Sequence, residues 1–103
     1  MLPRARRLRA AEVRVVMKEG RARRTAHLSM KYLPTQEPLR AAAVVSKSLA
    51  KNAVARNRLR RALYRALATR KESGRAVIFV QKMPNGTLSK VFSNDLAILF
   101  RQP

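Results

Sequence analysis

Residues 53–69, "AVARNRLRRALYRALAT", are the segment that leaves this chain the fewest choices. Turning about 100° per residue from Leu59 puts Ala55, Ala62, Leu63 and Ala66 within about 60° of it and Leu67 at about 80°. That stripe is one helix face, and it must be buried against another element. Asn57, Arg58, Arg60, Arg61, Tyr64 and Arg65 fall between about 100° and 260°, with Arg56 on the border. This second face cannot be buried without partners for its charges, so the helix lies on a layer with its cationic side outward.

The flanking segments supply that layer. "TAHLSMKYL" (25–33) alternates Ala26, Leu28, Met30 and Tyr32 with Thr25, His27, Ser29 and Lys31, the period of a half-buried strand. "PTQEP" (34–38) has Pro at both ends and reads as a turn or short loop that ends this strand. "LRAAAVVS" (39–46) is an apolar run of strand length ending in β-branched residues. "AVIFV" (76–80) is a strand covered on both sides. Ahead of these, Ala10, Val13, Val16 and Met17 recur at helical spacing and Gly20 can stop that helix, with "RARR" (21–24) as a basic connector. Leu88, Val91, Phe92, Leu96, Leu99 and Phe100 predict a terminal amphipathic helix. The expectation is one α+β domain over 1–103, in two layers and in the order α-β-β(-β)-α-β-α.

Charge decides the kind of partner. The 103 residues carry 24 Lys or Arg against five Asp or Glu, a net charge of +19. A compact body so charged repels itself unless a polyanion neutralises it, and nucleic acid is the first candidate. Residues 38–71 hold ten basic residues and no carboxylate. Within the helix, Arg56 with Arg60, Arg61 with Arg65 and Arg58 with Arg61 are like-charge pairs three or four apart, each unfavourable by roughly 0.2–0.5 kcal/mol. Solubility alone would interleave Glu. Arg also outnumbers Lys, and a planar guanidinium bridges two phosphate oxygens or stacks on a base. Asn57 and Tyr64 add an amide and an aromatic suited to sugar, base-edge or stacking contacts. RNA fits this chemistry, and a major groove of DNA could also admit such a helix.

Other classes find little support. Cys is absent, so neither disulfides nor thiolate metal sites can form, and a reducing compartment, the cytoplasm, fits best. The basic start lacks the apolar core of a signal peptide, and no run is long enough to span a membrane. His27 is the single histidine, with no acid close by in sequence, and Ser46 and Ser48 read as loop hydroxyls rather than nucleophiles.

"VVSKSLAKNAVARNRLRRALYRAL" (44–67) resembles the signature of the bacterial ribonuclease P protein subunit. In that family a strand ends in a short Ser-Lys loop and leads into a helix with Arg-Asn-Arg and further basics. Ser46, Lys47, Lys51, Ala53, Arg56, Asn57, Arg58, Arg60 and Arg61 stand at the matching places. "RLRAAEVRVVMKEG", "LSMKYL" and "AVIFVQKMPNGTLS" extend the likeness over about 3–101. The chain departs from the family where Val13 and Met17 replace a pair of aromatics, where Ala42 replaces a Gly, and where Ser48 replaces a second Lys.

The resemblance implies a two-layer, ribosomal-protein-like α+β fold with an uncommon left-handed β-α-β crossover. It implies an RNA subunit that performs the hydrolysis with Mg²⁺ held mainly by RNA, a protein that is itself non-catalytic, and removal of the 5′ leader from precursor tRNA. Lys47, Lys51, Arg56, Asn57, Arg58, Arg60, Arg61, Tyr64 and Arg65 would meet the ribonuclease P RNA, one protein per RNA. The leader would lie in a cleft with Val13, Met17, Lys31 and Tyr32. A small ribosomal protein and a DNA-binding protein are the rival readings.

Overall fold

The computed structural model describes residues 6–101; the first residues of the basic start lie outside it. Along the chain run α1 (Ala10–Glu19), β1 (Arg21–Arg24), β2 (Leu28–Pro38), β3 (Arg40–Val44), α2 (Ala53–Ala68), β4 (Ser73–Val80) and α3 (Leu88–Arg101). The strands form one mixed sheet in the order β1-β2-β4-β3, in which β3 and β4 are parallel and joined through α2, and the other pairs are antiparallel.

Two expectations are corrected. "RARR" is an edge strand, pairing from Arg21↔Tyr32 to Arg24↔Ser29. Nothing in its own composition announces a strand; the pairing with β2 makes it one, and a charged edge resists further pairing. "PTQEP" does not end β2. Pairing with β4 breaks after Leu33↔Arg75 and resumes at Pro38↔Ser73, so 34–37 bow away from the neighbour. Pro34 therefore removes no ladder bond, and β1 has already ended at Tyr32 on the other side. Across from the bow, Gly74 has φ +121°, and a Cβ there would lie 2.8 Å from the Tyr32 ring and 2.9 Å from the Leu33 oxygen.

The sheet has two unequal faces. Leu28 and Met30 of β2, Ala41 and Ala43 of β3, and Ala76, Ile78 and Val80 of β4 form one core with Leu59, Leu63 and Leu67 of α2 and Phe92, Leu96 and Leu99 of α3. On the opposite face, which bears Val77, α1 packs against β2 and β4 and buries Val16. Glu12 pins α1 there: Arg40 Nη1 donates to it at 2.8 Å, and Arg75 Nε lies 3.6 Å away. Gly20 closes α1 at φ −72° by close approach rather than by a left-handed turn, since a Cβ would lie 2.5 Å from the Val16 oxygen.

Asp95, buried on α3, holds the β1–β2 turn: one carboxylate oxygen accepts from Thr25 Oγ1 at 2.8 Å and from the His27 backbone N–H at 3.0 Å, with His27 Nδ1 at 3.2 Å. Folding thus gives His27 the acid that its sequence neighbourhood lacks. Arg23 ties β1 to the same helix, donating to the Leu99 oxygen at 3.1 Å with its guanidinium 4.8 Å from the Tyr32 ring centre.

Glu72, between α2 and β4, is gripped by Arg70, whose Nε donates at 2.9 Å. Burial alone would raise its pKa, but the hydrogen bond and charge of Arg70, with backbone N–H groups, hold it below the usual carboxylate range. A folded-state value below the unfolded one adds stability that is present at neutral pH and lost as pH falls through the folded value. Glu72→Gln is therefore expected to be less stable than the parent at pH 7. In urea melts repeated at falling pH, the gap should close below the folded-state value; a gap that does not change with pH would contradict this assignment.

Candidate nucleic-acid interface

The helix α2 starts at Asn52, whose Oδ1 accepts from the Ala55 N–H at 2.7 Å. The preceding loop turns at Ser46, whose carbonyl oxygen receives the N–H groups of Leu49 and Ala50. Arg56 reaches back to this loop, and its Nη1 donates to the carbonyls of Ala50 and Lys51, each at 3.0 Å. Its guanidinium braces the loop that carries exposed Lys47 and Lys51. Arg60 is similarly engaged, donating to Asn57 Oδ1 at 2.8 Å, so that this amide orients the guanidinium.

Tyr64 does not lie on the exposed face. It is only 7% exposed, and its phenol oxygen accepts from the Ala43 N–H at 3.1 Å on the outer edge of β3. The sequence map centres the buried stripe on Leu59; the residues actually buried, Leu59, Leu63, Tyr64, Ala66 and Leu67, centre about 50° further round. The helix rolls so that Tyr64 on that flank meets the free N–H of the edge strand β3. Arg7 stacks over the outer side of the ring, 5.6 Å from its centre. The exposed arc then holds Asn57, Arg58, Arg61 and Arg65.

Arg58, Arg61 and Arg65 line one cleft of about 400 Å³ between α2 and the segment 86–89 that opens α3. None of the three has a hydrogen bond or ion pair among the described residues. Four of the five acids are spent elsewhere, Glu12 on Arg40 and Arg75, Glu37 on Arg75, Glu72 on Arg70 and Asp95 on His27, and the fifth, Glu19, ends α1. The positive field of α2 is therefore uncompensated by any carboxylate on its own surface.

On the far face of the sheet, a second cleft of about 490 Å³ lies beside α1, lined by Met17, Arg24, Ser29, Lys31, Phe79 and Gln81 among others. Met17 and Lys31 of the expected cleft set are here. Tyr32 is not: the period of two turns it to the opposite face with Leu28 and Met30, where it meets Phe100 edge-on at 5.9 Å. Val13 is half-buried and does not line the cleft either. Phe79 belongs to it instead. A reading of β4 as covered on both faces hid this residue: Val77 is fully buried, whereas Phe79 is half-buried and lines the cleft with Met17. The signal available in the sequence was the single short helix left to cover that whole side.

The family model for Ribonuclease P matches residues 2–102. No curated protein sequence matches the chain significantly. Among solved structures, a Staphylococcus aureus RNase P protein mutant with defective mRNA degradation activity aligns with TM-score 0.76 at 20% identity, over 94% of this chain and 86% of that one. A Staphylococcus aureus RNase P protein gives TM-score 0.74 at 18% identity, covering 95% and 94%. Another gives 0.72 at 19% identity, covering 98% and 91%. Those likenesses bear on the fold, whose mixed four-stranded sheet and three helices they share. The family match spans nearly every residue, including the Arg56-Asn57-Arg58 segment that opens the cationic arc, and by it this chain belongs to the ribonuclease P family as a bacterial-type protein component.

Proposed function

We propose that this chain is the RNA-binding subunit of ribonuclease P in the cytoplasm, and that it assists a catalytic RNA in removing the 5′ leader from precursor tRNA. The observation that carries the reading is the exposed arc of α2, three guanidiniums without an ion pair among the described residues, in a chain of this family. Lys47, Lys51, Arg58, Arg61 and Arg65 contact the RNA subunit directly. Arg56, Asn57 and Arg60 shape that surface through the bonds they make, and Tyr64 seats the helix on β3.

The leader lies in the cleft beside α1. Lys31 supplies charge there, Phe79 offers a ring for base stacking, and Met17 packs beside it. These residues stand in for the aromatic pair that α1 lacks. Mg²⁺ belongs mainly to the RNA in this reading. The protein contributes by lowering phosphate repulsion, so that the folded RNA holds its ions at lower free Mg²⁺.

Reconstitution with the cognate ribonuclease P RNA tests this. Adding the chain is expected to restore cleavage of precursor tRNA at an Mg²⁺ concentration where the RNA alone is inactive. No gain at any protein concentration would sink the proposal.

A further inference from the structure

The cationic cleft of α2 does not end at its arginines. It runs into a second hollow of about 460 Å³ lined by Asn52, Val54, Leu59, Met83 and Leu88, and the two share Arg58, Gly86 and Leu88. Val54 is 79% exposed and Met83 47% exposed. In a chain with a net charge of +19, two bare apolar side chains beside three unpaired guanidiniums are not explained by the fold. Val54 contributes nothing to the core, and Met83 sits on the segment between β4 and α3.

The two halves match the two halves of one nucleotide. Guanidiniums donate to phosphate oxygens, often to two at a time. An unstacked base presents a flat apolar face, which in single-stranded RNA is buried against protein side chains. A methionine thioether suits an aromatic ring, and its flexible chain adapts to it. Resting on the reading of α2 as the RNA-facing helix, we propose that this composite groove holds one unstacked ribonucleotide. Its phosphate lies on Arg58, Arg61 and Arg65, and its base lies on Val54, Met83 and Leu88. The groove would therefore recognise a bulged or looped position of a structured RNA rather than a uniform duplex, whose bases stay stacked inside.

The test follows side-chain signals of the full chain by NMR: methyl groups of Val54, Met83 and Leu88, and arginine Nε–H groups, with the Phe79 ring observed as a monitor of the opposite cleft. The probes are a hexauridylate and an abasic ribose-phosphate chain of equal length. Hexauridylate is expected to shift both sets, and the abasic chain only the arginines. Val54→Ser with Met83→Ser, both at exposed positions, should weaken hexauridylate about five- to tenfold, leaving the abasic chain and the salt dependence unchanged.

If hexauridylate shifts the arginines alone, or the double variant binds it as tightly as the parent, the base site is overturned while the RNA-facing reading of α2 stands. If neither set responds while Phe79 in the opposite cleft does, the RNA-facing reading falls as well.

Discussion

Arg58→Ala with Arg61→Ala is expected to weaken binding of the cognate ribonuclease P RNA by roughly 30- to 1,000-fold near 0.1 M salt, because each side chain lost is a charged hydrogen-bond donor. A plot of log affinity against log salt should become shallower by about 1.4–1.8 units, since each phosphate contact contributes roughly 0.7–0.9. Removing charge anywhere would weaken a polyanion complex somewhat. The matched control is Arg14→Ala with Lys18→Ala, two exposed cations on α1. If the arc of α2 is the contact surface, the control lowers affinity far less and leaves the slope nearly unchanged. Equal losses from the two pairs, measured by filter binding across a salt series, would mean that charge acts diffusely and that α2 has no special place. Both α2 positions are exposed and without internal partners, so neither change should disturb the fold.

The largest effect on folding is expected at Gly74. Its φ of +121° is one that L side chains rarely adopt, and the space for a Cβ is filled by the Tyr32 ring and the Leu33 carbonyl. Gly74→Ala combines backbone strain with overpacking and is expected to cost about 2–4 kcal/mol. For a domain of this size that corresponds to a fall in Tm of roughly 10–25 °C. Adding Tyr32→Phe removes the phenol oxygen from the crowded site but also its donation to the Ser73 carbonyl, so it should recover only a small part. Thermal melts followed by circular dichroism would check this, and a loss under about 1 kcal/mol would show that β4 bends at this point without needing glycine.

Much of the architecture was legible because the residues concerned act through local periodicity. The stripe of Leu59, Leu63 and Leu67 marks α2 and requires a layer beneath it. The alternation through Leu28 and Met30 marks β2, and the run to Phe79 marks β4. What escaped depends on partners distant in the chain. Arg21–Arg24 is a strand only because Tyr32 to Ser29 lie alongside it. Pro34 and Pro38 read as a stop because the sequence does not reveal that 34–37 owe no hydrogen bonds to a neighbour. Tyr64, mapped by angle to the polar side, is drawn inward by an unpaired N–H on Ala43, 21 residues away.

By itself, the sequence determined that this protein is one small α+β domain with a helix whose positive face has no acidic counterweight. Composition and a 3.6-residue period are enough for that, because neither depends on which segments meet. Tertiary structure alone decided which cations remain available. Arg56 and Arg60 spend their donors on nearby oxygens, while Arg58, Arg61 and Arg65 converge unpaired beside the start of α3. It alone brought the half-buried Phe79 into one cleft with Met17 and Lys31. The physical reason is that pairing, whether within a turn or two of chain or between distant segments, consumes donors, acceptors and surface, and only the folded arrangement shows what is left over.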